Sequence, residues 1–216
     1  MRLKFLPSFV KRRGRITKNQ EENLKFLSDF SINNIEQIRK EATHYSYCCL
    51  EIGFGNADHL QSQALENPDT LFVGSEVYMS GIGTLIGAIK EKNINNIKIF
   101  PDDIRILIDD FEGEGILDAV KILCPDPWPK ERHHKRRLIN NDFLRLINRP
   151  MKDQATIYIS TDWENYAESI KAILDASPYF EPSKNFFLKK EYLTKFELRG
   201  QNEGRVIFEF NYQKKG

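Results

Sequence analysis

Asp126 sits between two prolines in CPDPWPKERHHKRR (residues 124–137), with Trp128 and Pro129 behind it and then five Lys or Arg and two His in eight positions. A carboxylate beside so dense a positive run combines two electrostatic tasks. The acid can stabilise positive charge developing on a bound group. The cations can hold a polyanion by its phosphates, which gives affinity and register but no choice of sequence. Trp128 is fixed by a proline on each side; its ring is either a stacking surface for an unstacked base or a plug that anchors the loop. A charge run by itself is usually a solvated helix start. This one follows directly on an apolar, strand-like run, and a second basic block, KRRGR (11–15), offers further phosphate contacts. His133 and His134 are adjacent and point apart, which makes a poor chelate and suits phosphate contact or helix capping.

A second group of residues could hold a small ligand. EIGFGNA (51–57) gives a Gly-x-Gly turn at Gly53 and Gly55, where a ligand can approach the backbone. Glu76 follows Glu51 by 25 residues, near the roughly 20-residue offset at which an acid receives ribose hydroxyls. Ala57 and Asp58 stand where a dinucleotide fingerprint has its third glycine. Acids around the turn also suit a cationic cofactor better than a pyrophosphate. S-adenosylmethionine, with its sulfonium and α-ammonium, fits Glu51, Glu76 and a further acid at Asp102. The bland alternative is a tight strand–helix turn flanked by solvated acids.

These residues need a scaffold that gathers strand ends, and the patterning supplies one. Thr17 and Gln20 form a capping-box pattern ahead of Leu24, Leu27 and Phe30 at helical spacing. Strand-like runs then alternate with helical ones: YCCLEIG (47–53), LFVGSEV (71–77), IKIFP (97–101), DAVKILCP (118–125) and ATIYIST (155–161). DDIRILIDDF places Ile104, Leu107, Ile108 and Phe111 on one helical face. Five strand–helix units predict a doubly wound, parallel α/β sheet. FFLKKEYL and RVIFEFNYQ, read with no helix between them, predict a final antiparallel pair. Ligands in such sheets bind beyond the carboxyl ends of the strands. Gly53, Gly55, Glu76, Asp102, Asp126 and Asp162 all fall there.

At 216 residues the chain is long enough for one domain with a full core. Of its 32 Lys and Arg, seven lie in the first 20 residues, where there is no acid; the other 25 face 31 acids, a balance of −6. This predicts a basic, flexible arm over 1–20 and a single domain over 21–216, with a localised polyanion contact. Cys48, Cys49 and Cys124 lie in or at the end of apolar runs, without a disulfide framework or metal-ligand spacing. No apolar run reaches the ~18 residues of a membrane span, and no signal-peptide core is present. The expectation is a cytoplasmic protein with no metal and no membrane partner, as a monomer or a homodimer.

SFVKRRGRITKNQ, EIGFGNADHL, GSEVYMSGIG, CPDPWPKERHHKRRLI, STDWENYA and TKFELRG, in order from residue 8 to 200, resemble the bacterial tRNA (guanine-N7-)-methyltransferase family. The resemblance implies a Rossmann-like methyltransferase fold with a mostly parallel seven-stranded sheet. It implies methyl transfer from S-adenosylmethionine to a tRNA guanine, at variable-loop position 46. By position it puts Glu51, Gly53, Gly55, Glu76, Asp102 and Asp126 at the cofactor. Lys130, Asp162, Thr194, Lys195, Phe196 and Glu197 fall at the substrate, and Arg132, His133, His134, Lys135, Arg136 and Arg137 on the tRNA. Ser75 and Asp103 depart from the residues common in the family; Asp102, nearer the strand end, is preferred to Asp103. Guanine N7 has a lone pair and no proton, so its methylation needs no general base. Asp126 is then the catalytic residue as an electrostatic stabiliser, while Asp162 and Glu197 can accept from the guanine N1–H and N2–H₂ edge. Three competing readings are another S-adenosylmethionine-dependent RNA methyltransferase, a non-catalytic RNA-binding module on the same fold and, disfavoured by the incomplete fingerprint, a nicotinamide oxidoreductase.

Overall fold

The computed structural model describes residues 5–10, 15–188 and 193–216. Its elements run α1 (Lys18–Leu24), α2 (Leu27–Phe30), α3 (Ile35–Ala42), β1 (Tyr47–Ile52), α4 (Asp58–Glu66), β2 (Thr70–Ser75), α5 (Met79–Lys92), β3 (Ile97–Phe100), α6 (Ile104–Ile108), β4 (Leu117–Leu123), a 3-10 helix (Glu131–Arg136), α7 (Asn141–Ile147), β5 (Met151–Thr161), α8 (Glu164–Asp175), β6 (Phe180–Pro182), α9 (Lys195–Asn202) and β7 (Phe208–Lys214). The sheet has seven strands in the order β3-β2-β1-β4-β5-β7-β6. β1 to β5 are parallel, and β7 runs antiparallel between β5 and β6. Strand order reverses between β1 and β4, which pair directly.

The parallel strands are near-continuous apolar runs because helices cover both faces. In β1, Cys48, Leu50 and Ile52 enter one core layer with Phe143, Ile157 and Ile170, while Cys49 enters the other with Leu60, Phe72 and Ile86. Glu51 shares the Cys49 side by strand alternation and therefore points beneath α4. Gly81 lets α5 lie close to the turn after β1: a Cβ there would stand 1.9 Å from the Gly55 carbonyl oxygen. The Thr17 capping box forms as expected. α3, capped by Asn34, had no place in the strand–helix rhythm.

Two expectations are corrected. Phe111 is buried, but α6 stops at Ile108. FFLKKEYL does not begin as a strand: its first residues form a turn, and residues 189–192 lie outside the described residues. The strand beside β7 is Phe180–Pro182, and α9 separates the two in sequence. Asn211 draws the chain out of the ladder by donating to the carbonyls of Ser183 and Asn185. Phe187 and Leu188 pack against the Cys49-side core instead. Aromatic residues favour any half-buried surface, so their β-propensity misled here.

Ala57, the residue before α4, has φ 65° and no side-chain cap. A left-handed non-glycine residue costs about 1–2 kcal/mol, and the buried methyl returns only about 0.8 kcal/mol. Ala57→Gly should therefore melt within about 2 °C of the unchanged protein, or above it. Ala64→Gly in the same helix loses both helix propensity and a buried methyl, about 2 kcal/mol, and should melt roughly 4–8 °C lower. Equal losses in the two variants, by thermal denaturation, would show that Ala57 carries no strain.

Candidate active site at the strand ends

A cavity of about 470 Å³ opens where strand order reverses. Ile52, Leu123, Ile104 and Leu138 give it an apolar wall, and Gly53 and Gly55 give a bare backbone edge. Glu76, Asp102, Asp103 and Asp126 line it, and among the described residues no Lys, Arg or His does. Such a chamber favours a ligand that is part apolar and part cationic.

Glu76 is the buried centre of this arrangement. Its Oε2 accepts from the Gly55 N–H at 2.7 Å, and its Oε1 accepts from the Val77 and Tyr78 N–H groups at 2.7 and 2.9 Å. One carboxylate thus joins the turn after β1 to the chain leaving β2. Burial pushes its pKa up; the three backbone donors oppose that shift, and the nearby Asp126 adds to it. Asp102 accepts from the Asp103 N–H at 2.8 Å, while Ser75 donates to the Asp102 carbonyl at 2.9 Å. Asp103 is held differently, since its carboxylate pairs with the buried Arg105 at 2.6 Å. That leaves Asp102 the better placed of the two to meet a ligand.

Arg105 carried no signal in the sequence because its partners other than Asp103 are remote. It donates to the Leu6 carbonyl at 3.0 Å, and its guanidinium lies 5.1 Å from the Phe5 ring centroid. Trp128 Nε1 donates to the Ser8 carbonyl at 2.9 Å from the other side. Ser8, Phe9 and Val10 consequently border the cavity. Residues 11–14 of the basic block fall outside the described residues.

The loop carrying Asp126 is strained, with φ 49° at Cys124 and 46° at Trp128. Trp128 is buried, so it is the plug of the two alternatives and offers no open face for a base. Arg136 stacks on it at 4.8 Å and His133 meets it edge-on at 5.7 Å. Asp126 is exposed on the cavity rim. Lys130, Arg132 and Lys135 are exposed beyond it, while His133 and His134 are half-buried. Partial burial and then the surrounding cations lower the His133 pKa, so it adds little charge to the run at neutral pH.

Arg137 departs from the expected tRNA contact. It is buried, donates to the Pro127 carbonyl at 3.0 Å and to Asn165 Oδ1 at 2.8 Å, and lies over Tyr166. It clamps the Asp126 loop to α8. Glu51 departs too: its Oε2 meets His59 Nδ1 at 2.7 Å, both side chains are buried, and Glu51 borders a minor cleft of about 40 Å³ rather than the main cavity. Glu197 is fully buried and accepts from the Thr194 N–H in a capping box, so it cannot reach a guanine edge from there. Thr194 is that cap, and Lys195 pairs with Asp58 at 2.9 Å. Phe196 is 57% exposed and lines the main cavity beside Gly55. Asp162 accepts from Arg205 at 2.8 Å, and Gly200 lets α9 approach it, since a Cβ there would lie 2.6 Å from the carboxylate.

The raised Glu76 pKa has a consequence for a cationic ligand. Protonation removes the charge that such a ligand meets, so affinity falls as pH drops through the folded value. That fall begins above the ordinary glutamate value of 4.5. Calorimetry with S-adenosylmethionine from pH 7.5 down to the ordinary glutamate value of 4.5 should show this decline. Glu76→Gln should bind roughly tenfold or more weakly and without the decline. A wild-type affinity that stays flat over this range would remove Glu76 from contact with the ligand.

A family described as "Putative methyltransferase" matches residues 46–210. The tRNA (guanine-N(7)-)-methyltransferase of Nitrosococcus oceani is 36% identical over 218 residues, spanning 97% of this chain and 91% of that protein. The enzyme of the same name from Methylobacillus flagellatus is also 36% identical, over 96% of this chain and 91% of its own length. Among solved structures, the 16S rRNA methyltransferase KamB superposes with a TM-score of 0.60 at 10% identity, over 86% of this chain and 95% of that one. The tRNA (m1A58) methyltransferase TrmI of Aquifex aeolicus gives 0.51 at 14% identity, over 99% and 74%. These structures share the fold alone. The near full-length sequence matches and the family match carry the assignment by themselves: the chain belongs to the tRNA (guanine-N(7)-)-methyltransferase family.

Proposed function

We propose that the protein transfers a methyl group from S-adenosylmethionine to N7 of a tRNA guanine, at position 46 of the variable loop. The observation that carries this reading is the cavity at the strand reversal, lined by acids and by no described basic side chain. Its volume and mixed walls suit an adenosine joined to a cationic chain, and its charge opposes a pyrophosphate. When bound, S-adenosylmethionine supplies an electrophilic methyl on sulfur. Glu76 and Asp102 hold it, with Gly53 and Gly55 allowing close approach.

The chain's own residues then have two tasks. Phe196, exposed over the cavity, offers a stacking face for a base turned out of the tRNA. Asp126, on the rim, faces the positive charge that builds on guanine as N7 gains the methyl. N7 has no proton to lose, so alignment and electrostatics account for the rate enhancement and no base is needed. Asp162 is the better candidate for the N1–H and N2–H₂ edge, because Glu197 is enclosed in its cap. Lys130, Arg132 and Lys135 are the exposed cations for phosphates. A non-catalytic RNA-binding role is disfavoured by the retained acids at successive strand ends.

Single-turnover methylation of tRNA with saturating S-adenosylmethionine, from pH 6 to 9, tests the mechanism. The wild-type rate should not climb with pH, and Asp126→Asn should slow it on the order of 100-fold at every pH. A tenfold rise per pH unit that Asp126→Asn abolishes would make Asp126 a base and the N7 assignment wrong. Mapping the methylated nucleotide tests position 46 directly.

The tRNA face is tested by salt dependence. Arg132→Ala with Lys135→Ala should raise the KM for tRNA and flatten the log–log salt slope by roughly 0.7–0.9 per lost contact, with donor affinity kept. Arg137→Ala should instead lower the melting temperature, because it removes a clamp. An unchanged slope in the double variant would make the run a solvated turn.

A further inference from the structure

Beneath α4 lie two buried polar pairs that the proposed reaction does not use. Glu51 on β1 meets His59 on α4, and one helical turn later Gln63 accepts from Lys121 of β4 at 2.8 Å. Glu51 and Lys121 are direct neighbours in the β1–β4 register, so the pairs form parallel rungs between sheet and helix. Lys121 also donates to the Leu188 carbonyl at 2.6 Å, which engages the second rung with the segment ahead of α9. The first rung is tied to the ligand turn. Residues 51 and 59 stand on either side of it, and the stretch they enclose has left-handed backbone at Gly53, Gly55 and Ala57, with φ of 74°, 56° and 65°.

We infer that His59 is a positioning residue for the methyl donor: its hydrogen bond to Glu51 closes the turn 53–57 from behind and holds it in the shape that receives the donor. This rests on the cofactor reading above. Glu76 fixes the same turn from the front through the Gly55 N–H. Glu51 as a carboxylate only accepts, so Nδ1 is the donating nitrogen of His59. The other nitrogen, Nε2, is buried with no hydrogen-bond partner among the described residues. An unpartnered buried nitrogen destabilises the fold, so simple core filling gives no reason for a histidine. The useful atom is Nδ1. Ala57 adds to the need for a brace, because it lacks the freedom a glycine would have in the left-handed region.

The amide nitrogen of asparagine stands near the Nδ1 position of histidine, whereas that of glutamine reaches toward Nε2. His59→Asn, His59→Gln and His59→Ala therefore separate the two nitrogens. Calorimetry uses S-adenosylhomocysteine as the probe, and steady-state methylation gives a KM for each substrate. His59→Gln and His59→Ala should bind the probe about tenfold more weakly and raise the KM for S-adenosylmethionine. The KM for tRNA should stay within about twofold, and His59→Asn should restore probe affinity to within about twofold of wild type. A residue that merely supports the fold would change the melting temperature and leave this split absent. Equal probe affinity in all four proteins, or losses in His59→Asn as large as in His59→Gln, would overturn the inference. Should His59→Ala not fold, the asparagine–glutamine pair still decides. A wild-type protein that fails to bind the probe would overturn the cofactor reading itself, which is a separate result.

Discussion

A buried carboxylate that takes three backbone N–H groups is the constraint around which the site is built. Glu76 accepts from Gly55, Val77 and Tyr78, so the chain after β1 and the chain after β2 share one anchor. Without it, three donors beside an apolar wall would lack partners, at about 1–3 kcal/mol each. Burial raises the pKa of the same group, and the three backbone donors oppose that shift. Gly81 serves this geometry from outside, by letting α5 lie against the Gly55 carbonyl. Cofactor turn and helix packing are therefore one structural problem.

The rest of the rim is held by two guanidinium groups and an indole turned inward. Arg105 pairs with Asp103 and takes the Leu6 carbonyl, Arg137 takes the Pro127 carbonyl, and Trp128 takes the Ser8 carbonyl. Each bond ends on a segment that lacks regular structure of its own, around Leu6, Ser8, Asp103 or Pro127. A guanidinium suits the task because its planar fork can satisfy several acceptors at once while its stem packs against a ring. The strained Cys124 and Trp128 conformations are tolerated for the same reason, since the loop is fixed from the arm, from α8 and from the 3-10 turn. Asp126 thereby sits on a rigid rim although its loop is exposed.

Opposite charges stay separate along this rim. Acids gather inside the cavity at the strand ends, while exposed Lys130, Arg132 and Lys135 stand outside it. A small cation and a large polyanion can therefore meet at one point without either set neutralising the other. Arg136 is intermediate, because its stacking on Trp128 links the outer face to the plug that also holds Ser8.

The alternation of strands and helices from β1 to β5, the parallel sheet and the acids at successive strand ends were legible from local patterning, because an α/β unit writes its apolar runs and its turn glycines locally. The motif segments carried the family. What the sequence could not decide is which way each polar side chain turns. Glu51, Glu197 and Arg137 were chosen by position for ligand, base and phosphate, and all three are enclosed by partners within the fold. Glu76, Asp102 and Asp126, chosen on the same grounds, do line the cavity. FFLKKEYL read as a strand because aromatic and apolar residues look alike in a sheet and on a packed turn. A strand's period tells which residues share a face. Whether a carboxylate there meets a ligand, a histidine or a backbone N–H depends on other segments, as Glu76 on the Gly55 N–H and Asp162 on Arg205, and only packing brings those together.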